Sequence, residues 1–135
     1  MKKSKKGWWV VIIVLALIAV LIFIRFIIGG AEDNWIKDER GVWVKHGNPA
    51  LTPSQALEQQ TAINCALQVY QEKKHEGITF LSQCLGNCGD YAVDIVHVPR
   101  TEEDNIESNI CSDFREARVN HFIELDKNGE IVRIV

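Results

Sequence analysis

The chain begins with a long apolar segment and then changes to the mixed pattern of a soluble domain. Residues 8–24 contain no polar side chain, and three further apolar residues follow Arg25. A helix over 7–28 would rise about 33 Å at about 1.5 Å per residue, enough to cross a hydrocarbon core of about 30 Å. We therefore predict a transmembrane helix over 7–28, with Trp8 and Trp9 at one membrane interface and Arg25 at the other.

The charges around this segment predict its orientation. Four basic residues precede it, Lys2, Lys3, Lys5 and Lys6, and basic flanks favour the cytoplasmic side. We expect 1–6 to form a cytoplasmic tail, 29–34 a stalk, and 35–135 a domain outside the cytoplasm. A cleaved secretory signal is the rival interpretation, because Gly29-Gly30-Ala31 offers small residues for cleavage. Signal sequences usually have an apolar run of about 7–15 residues, so the longer segment here favours retention.

The start of the apolar segment also resembles a processing site. Lys5-Lys6-Gly7 directly before the run is similar to the cleavage site of type IV pilin precursors, and the resemblance implies a filament subunit processed after Gly7. In that family a glutamate commonly stands at the fifth position after the cut. Ile12 occupies that position here, so the pilin subunit is an alternative and not the leading hypothesis.

Beyond the stalk, the pattern predicts a hairpin and one long helix. Two β-prone runs, 35–37 and 42–45, flank the polar turn 38–41, which contains a glycine. The helix is expected over about 53–75, where apolar residues recur at helical spacing. Thr52 is its predicted N-cap, Pro53 its first residue, and Gln55 completes a capping box. Lysines at its end and Gly77 after it are typical of a C-terminus.

The rest of the chain alternates with the period of a β-strand. We predict strands over 91–98, 119–125 and 130–135, the last two joined by a turn at 126–129. The apolar run 78–81 is a further strand or a helical turn. One long helix against a sheet of three or four antiparallel strands, with a short hairpin before it, is an α+β fold.

The charge distribution argues against one class of partner. The chain has 15 basic and 18 acidic residues, and five of the basic residues lie before residue 31. The remainder therefore carries 10 basic against 18 acidic groups. An acidic domain repels phosphate backbones, so we do not expect a nucleic acid partner.

All four cysteines lie beyond the apolar segment, at 65, 84, 88 and 111. An even number in a small exported domain predicts two disulfides, which compensate for a modest hydrophobic core. Three pairings are possible. We favour Cys65–Cys84 with Cys88–Cys111, which would tie the long helix to the turn that follows it and that turn to the acidic loop. We do not expect Cys84 and Cys88 to be joined, since they are only four residues apart.

The same residue types permit a metal site as an alternative. Cys84 and Cys88, together with His97 and His121, offer zinc-ligand chemistry, and the two histidines are expected near facing ends of strands joined by the 99–118 loop. The paired short spacings of zinc ribbons and fingers are missing, however. The sequence also contains no Cys-x-x-Cys, no nucleophile elbow and no phosphate-binding loop. We therefore expect no cofactor and lean against an enzyme.

One segment resembles other proteins. Trp43-Val44-Lys45-His46-Gly47-Asn48-Pro49 is similar to a segment that follows the N-terminal apolar helix in small exported proteins of archaea and related uncultured microbes. The resemblance implies an envelope protein and carries no catalytic residues. The leading hypothesis is a membrane-tethered interaction or envelope-structural module, whose partners are the lipid bilayer and another envelope protein.

Overall fold

The computed structural model describes residues 5–28 and 33–135, and it describes side chains for 7–26 and 33–135. The predicted cleavage site at 29–31 and most of the predicted stalk lie outside the described residues. So does most of the predicted basic tail. The last residue assigned to the stalk, Asn34, already belongs to the first strand.

The N-terminal helix α1 spans Lys5–Ile28. Its segment Gly7–Phe26 is long and apolar enough to cross a membrane, and none of that segment is buried in protein. Trp8 is 71% exposed. A helix that is apolar all round must be surrounded by something other than water. Because no protein covers this helix, the core helix of a soluble domain is not a suitable description of it.

The chain divides into two compact units, Met1–Ile36 with Lys45–Thr52, and Lys37–Val44 with Pro53–Val135. Strands β1 (Asn34–Lys37) and β2 (Trp43–His46) form a two-stranded sheet, which confirms the predicted hairpin. In the turn between them, the Asp38 carboxylate accepts hydrogen bonds of 2.9 Å from the backbone N–H groups of Arg40 and Val42.

The long helix α2 spans Ser54–His75. Its C-terminus is as predicted, since Gly77 has a φ of +77° and donates its N–H to the Lys74 carbonyl. The predicted N-terminal cap is wrong. Pro53 is the N-cap and no side chain caps the helix, because the helix starts one residue later than the Thr52 capping box requires.

The second unit contains a four-stranded sheet in the order β3-β4-β5-β6. The strands are β3 (Gln83–Cys88), β4 (Tyr91–Ile95), β5 (His121–Leu125) and β6 (Ile131–Ile134). The α+β fold is confirmed, but the prediction of a purely antiparallel sheet is wrong. Strands β4 and β5 are parallel, because residues 96–120 carry the chain from the end of β4 back to the side where β4 began.

Each face of the sheet is covered. The face toward α2 holds the main core, and its buried members are Ala62, Ala66, Tyr70, Cys88, Val93, Ile95, Ile123, Leu125 and Ile134. The 96–120 connection covers the other face. It contains the 3₁₀ turns Glu102–Asn105 and Glu107–Asn109 and the short helix α3 (Ser112–Arg115). Burial on both faces explains why β4 lacks the clean alternation of a half-exposed strand.

Strand β3 lies just after the apolar run 78–81, which forms neither a strand nor a helix. A β-bulge between Cys84 and Gly86 interrupts its pairing with β4. Side chains alternate between the faces of a strand, so residues 84 and 88 would share a face in a regular strand. The extra residue in the bulge reverses this relation. Cys84 and Cys88 therefore lie on opposite faces of the sheet.

Candidate functional site

Two disulfides join the sheet to the elements that cover it. Cys65 of α2 is bonded to Cys88, and Cys84 is bonded to Cys111 of the connection. The prediction that all four cysteines form two disulfides agrees with the structure, but the favoured pairing is wrong. The bulge is the physical reason, since it presents Cys88 to α2 and Cys84 to the loop on the other face.

A row of polar side chains crosses the loop-covered face of the sheet. Cys84 is paired with Asp94, Asp94 with Glu124, and Glu124 with Arg133, on four successive strands. We call these four residues the polar row. Asp94 and Glu124 are only 7% and 5% exposed. Two carboxyl groups therefore lie side by side beneath the connection, next to a cavity of about 120 Å³.

Glu124 is held by two arginines. Arg133 binds both carboxylate oxygens at 3.1 Å, and Arg100 donates to one of them at 2.8 Å. Arg100 also donates to the carbonyl oxygen of Asp104, at 3.2 Å. Such bidentate, charge-assisted contacts stabilise an ionised carboxylate. Glu124 is therefore held in place within the polar row by three hydrogen bonds from arginine side chains.

Asp94 has a different environment from Glu124. Its carboxylate accepts one hydrogen bond of 3.0 Å, from the backbone N–H of Cys111. Burial raises the pKa of Asp94 to about 6, and the Glu124 charge adds to this, while the Cys111 N–H and Arg100 oppose it. A buried carboxyl with a pKa near neutrality can hold or release a proton at ordinary pH.

A carboxylate oxygen of Asp94 lies close to the second disulfide. This oxygen and the sulfurs of Cys84 and Cys111 all lie within 4.8 Å of one another. No other cluster of three such metal-binding side chains occurs in the described part of the chain. The two sulfurs are bonded to each other and are not thiolates, so the oxidised cluster offers a cation only one charged ligand.

The alternative metal site predicted from the sequence is not assembled. The sulfurs of Cys84 and Cys88 belong to different disulfides. His121 pairs with Tyr91 at the start of β4, and their rings stack at 4.8 Å. His97 follows the other end of β4, about 20 Å away at about 3.3 Å per residue. The parallel pairing of β4 and β5 is what separates the two histidines.

His97 has a structural contact that the sequence did not reveal. Asp104 accepts hydrogen bonds from the backbone N–H groups of His97, at 3.0 Å, and Thr101, at 2.7 Å. Its burial alone would raise the pKa of Asp104, but these bonds, with others from the His97 and Ser82 side chains, lower it to about 2. Asp104, within the predicted 99–118 loop, therefore organises the first turn of the connection.

No family model, curated protein or solved structure matches this chain. The N-terminal apolar helix and the two disulfides fit a membrane-anchored, disulfide-stabilised domain.

An apolar groove lies at the end of the sheet where β4 enters the connection. We use this name for the surface formed by Phe80, Leu81, Val98 and Pro99 beside the 126–128 turn, which encloses about 680 Å³. Leu81 is 56% exposed and Val98 is 65% exposed. This groove was not predictable from the sequence, because its apolar residues come from two separate segments that form no regular structure.

Proposed function

We propose that the protein is a single-pass membrane protein that displays its disulfide-braced domain outside the cytoplasm, where the domain binds another envelope protein. Helix α1 supports the anchor, since its apolar side chains are unburied over 20 residues. The oxidised cysteines support the location, because disulfides persist in oxidising compartments. The four lysines before the apolar segment support a cytoplasmic N-terminus.

The apolar groove is the observation that carries the binding function. Large aliphatic side chains exposed together in a concave surface are typical of interaction sites. The groove is bordered by the polar residues Thr101, Asp126 and Lys127, and an apolar centre with a polar rim is the usual anatomy of a protein interface. We infer that a partner inserts an apolar side chain between Leu81 and Val98.

A charge in the groove is expected to weaken this interaction. Leu81→Glu should reduce the amount of a crosslinked partner in native membranes by about tenfold, since burying an unpaired carboxylate costs more than the about 1.4 kcal/mol that a tenfold change requires. A photo-crosslinking residue at position 98 provides the measurement. Ile106→Glu is the matched control, because Ile106 is 49% exposed and lies outside the groove.

Two outcomes would count against the proposal. One is the absence of any specific adduct from position 98. The other is an equal loss of the adduct in the Leu81 and Ile106 variants, which would indicate a general effect of added negative charge. Loss in the Leu81 variant alone supports the groove as the binding surface.

A further inference from the structure

The two disulfides differ in their exposure to solvent. Cys84 is exposed, whereas its partner Cys111 is only 1% exposed. In the other bridge, Cys88 is 2% exposed in the main core and Cys65 of α2 is partly buried, so neither of its residues is as exposed as Cys84. An external thiolate can therefore reach the sulfur of Cys84, and attack there makes the buried Cys111 sulfur the leaving group. Exposed disulfides are the labile ones in thiol–disulfide exchange.

The carboxyl group of Asp94 lies next to the Cys111 sulfur, the leaving group in this exchange. A carboxylate oxygen of Asp94 lies within 4.8 Å of both sulfurs of this bridge, and the Asp94 carboxylate accepts a hydrogen bond from the backbone N–H of Cys111. The Cys111 sulfur also lies 3.5 Å from the carbonyl oxygen of Val93 and 3.6 Å from that of Gly86. A disulfide sulfur carries no proton to donate to them. The thiol formed on reduction would find both acceptors in place.

We propose that Cys84–Cys111 is a thiol–disulfide exchange centre that accepts two electrons from an external dithiol, with Asp94 as the proton donor to Cys111. Cys65–Cys88 is the structural bridge. This inference does not depend on the apolar groove.

The exchange proceeds in two steps. A thiolate of the dithiol attacks the Cys84 sulfur, the Cys84–Cys111 bond breaks, and its electron pair goes to Cys111, which takes the proton of Asp94. The second thiolate of the dithiol then attacks the mixed disulfide and releases Cys84, which is protonated from water, as is Asp94. The dithiol loses two electrons and two protons and becomes a disulfide, and the protein gains both.

The charges around Asp94 determine the direction of the pH dependence. Glu124 faces it from β5 and Arg100 faces it from the connection, while Arg133 and Asp104 line the same cavity. Below its pKa of about 6 the neutral Asp94 donates a proton to the leaving sulfur. Above that pH the ionised carboxylate repels the developing thiolate at close range. Exchange per attacking thiolate should therefore slow as the pH rises.

Graded reduction of the full-length protein in detergent tests this assignment. Dithiothreitol is the probe, and alkylation after an acid quench, followed by peptide mass spectrometry, assigns each cysteine. We expect Cys84 and Cys111 to react about tenfold faster than Cys65 and Cys88. The rate of the faster pair, divided by the thiolate concentration, should fall about tenfold between about pH 5 and about pH 8.

Asp94→Asn tests the proton-donor role of Asp94 without removing its structural hydrogen bond. The amide oxygen still accepts the Cys111 N–H, so the fold should remain intact, and the normalised rate should become independent of pH. An unchanged rate for Cys65–Cys88 in the same sample reports that the fold is preserved. Equal reduction rates for the two bridges in the unmodified protein would overturn the exchange centre. A pH dependence that Asp94→Asn leaves unaltered would overturn the role of Asp94.

Discussion

Replacing Tyr70 by alanine is expected to lower the free energy of unfolding by about 4 kcal/mol, the scale observed for removing a buried aromatic ring. Tyr70 is 1% exposed in the main core and stacks on Phe80 with ring centroids 4.5 Å apart. Its hydroxyl donates to the Lys127 carbonyl at 2.9 Å. The ring also lies beneath Gly129, where an added Cβ would come within 2.6 Å of it.

Urea denaturation of the full-length protein in mild detergent, followed by circular dichroism, measures this effect. Tyr70→Phe is the matched control, because it keeps the ring and its stacking and loses only the hydroxyl, at a cost of about 1 kcal/mol. If Tyr70→Phe proved as destabilising as Tyr70→Ala, the hydroxyl and not the packing of the ring would be the main contribution.

Replacing both Cys65 and Cys88 by alanine is expected to lower the free energy of unfolding by about 3 kcal/mol under oxidising conditions. The bridge closes a loop with a sequence separation of 23 residues, and the loss of chain entropy in the unfolded state sets this magnitude. That is a large share of the total free energy of unfolding of a small domain, which is about 5–15 kcal/mol. The variant should therefore unfold at a clearly lower urea concentration.

Reductant provides the control for this second prediction. With excess dithiothreitol during denaturation, the variant and the unmodified protein should unfold at nearly the same urea concentration, because neither unfolded chain is then crosslinked. A difference of less than about 1 kcal/mol under oxidising conditions would mean that the bridge does not constrain the unfolded chain as described.

The elements with strong local signals were predictable from the sequence. Helix α2 and the strands β4, β5 and β6 lie within the segments predicted for them, although β4 is buried on both faces, and Gly77 ends α2 as its conformation requires. These features depend on residues within one turn or one strand. Local patterns therefore suffice for the α+β class.

Features that depend on distant residues were not predictable. The bulge in β3 decides which cysteines meet. Gly86, which lies at the bulge with a φ of +135°, is its one local signal, and it does not reveal how β3 pairs with β4. The parallel pairing of β4 with β5 separates the two histidines and brings Asp94 beside Glu124, thirty residues later in the chain. The polar row results from the register of the four strands, and this register could not be predicted from the sequence.

We propose that α1 lies in a bilayer and that the disulfide-braced domain lies outside the cytoplasm. Right-side-out membrane vesicles, from cells that produce the protein with an epitope after Val135, test it most directly. Protease added outside should remove the epitope without detergent and leave a fragment containing α1 in the membrane. Survival of the epitope until detergent opens the vesicles, or release of the whole chain into the wash, would contradict the account.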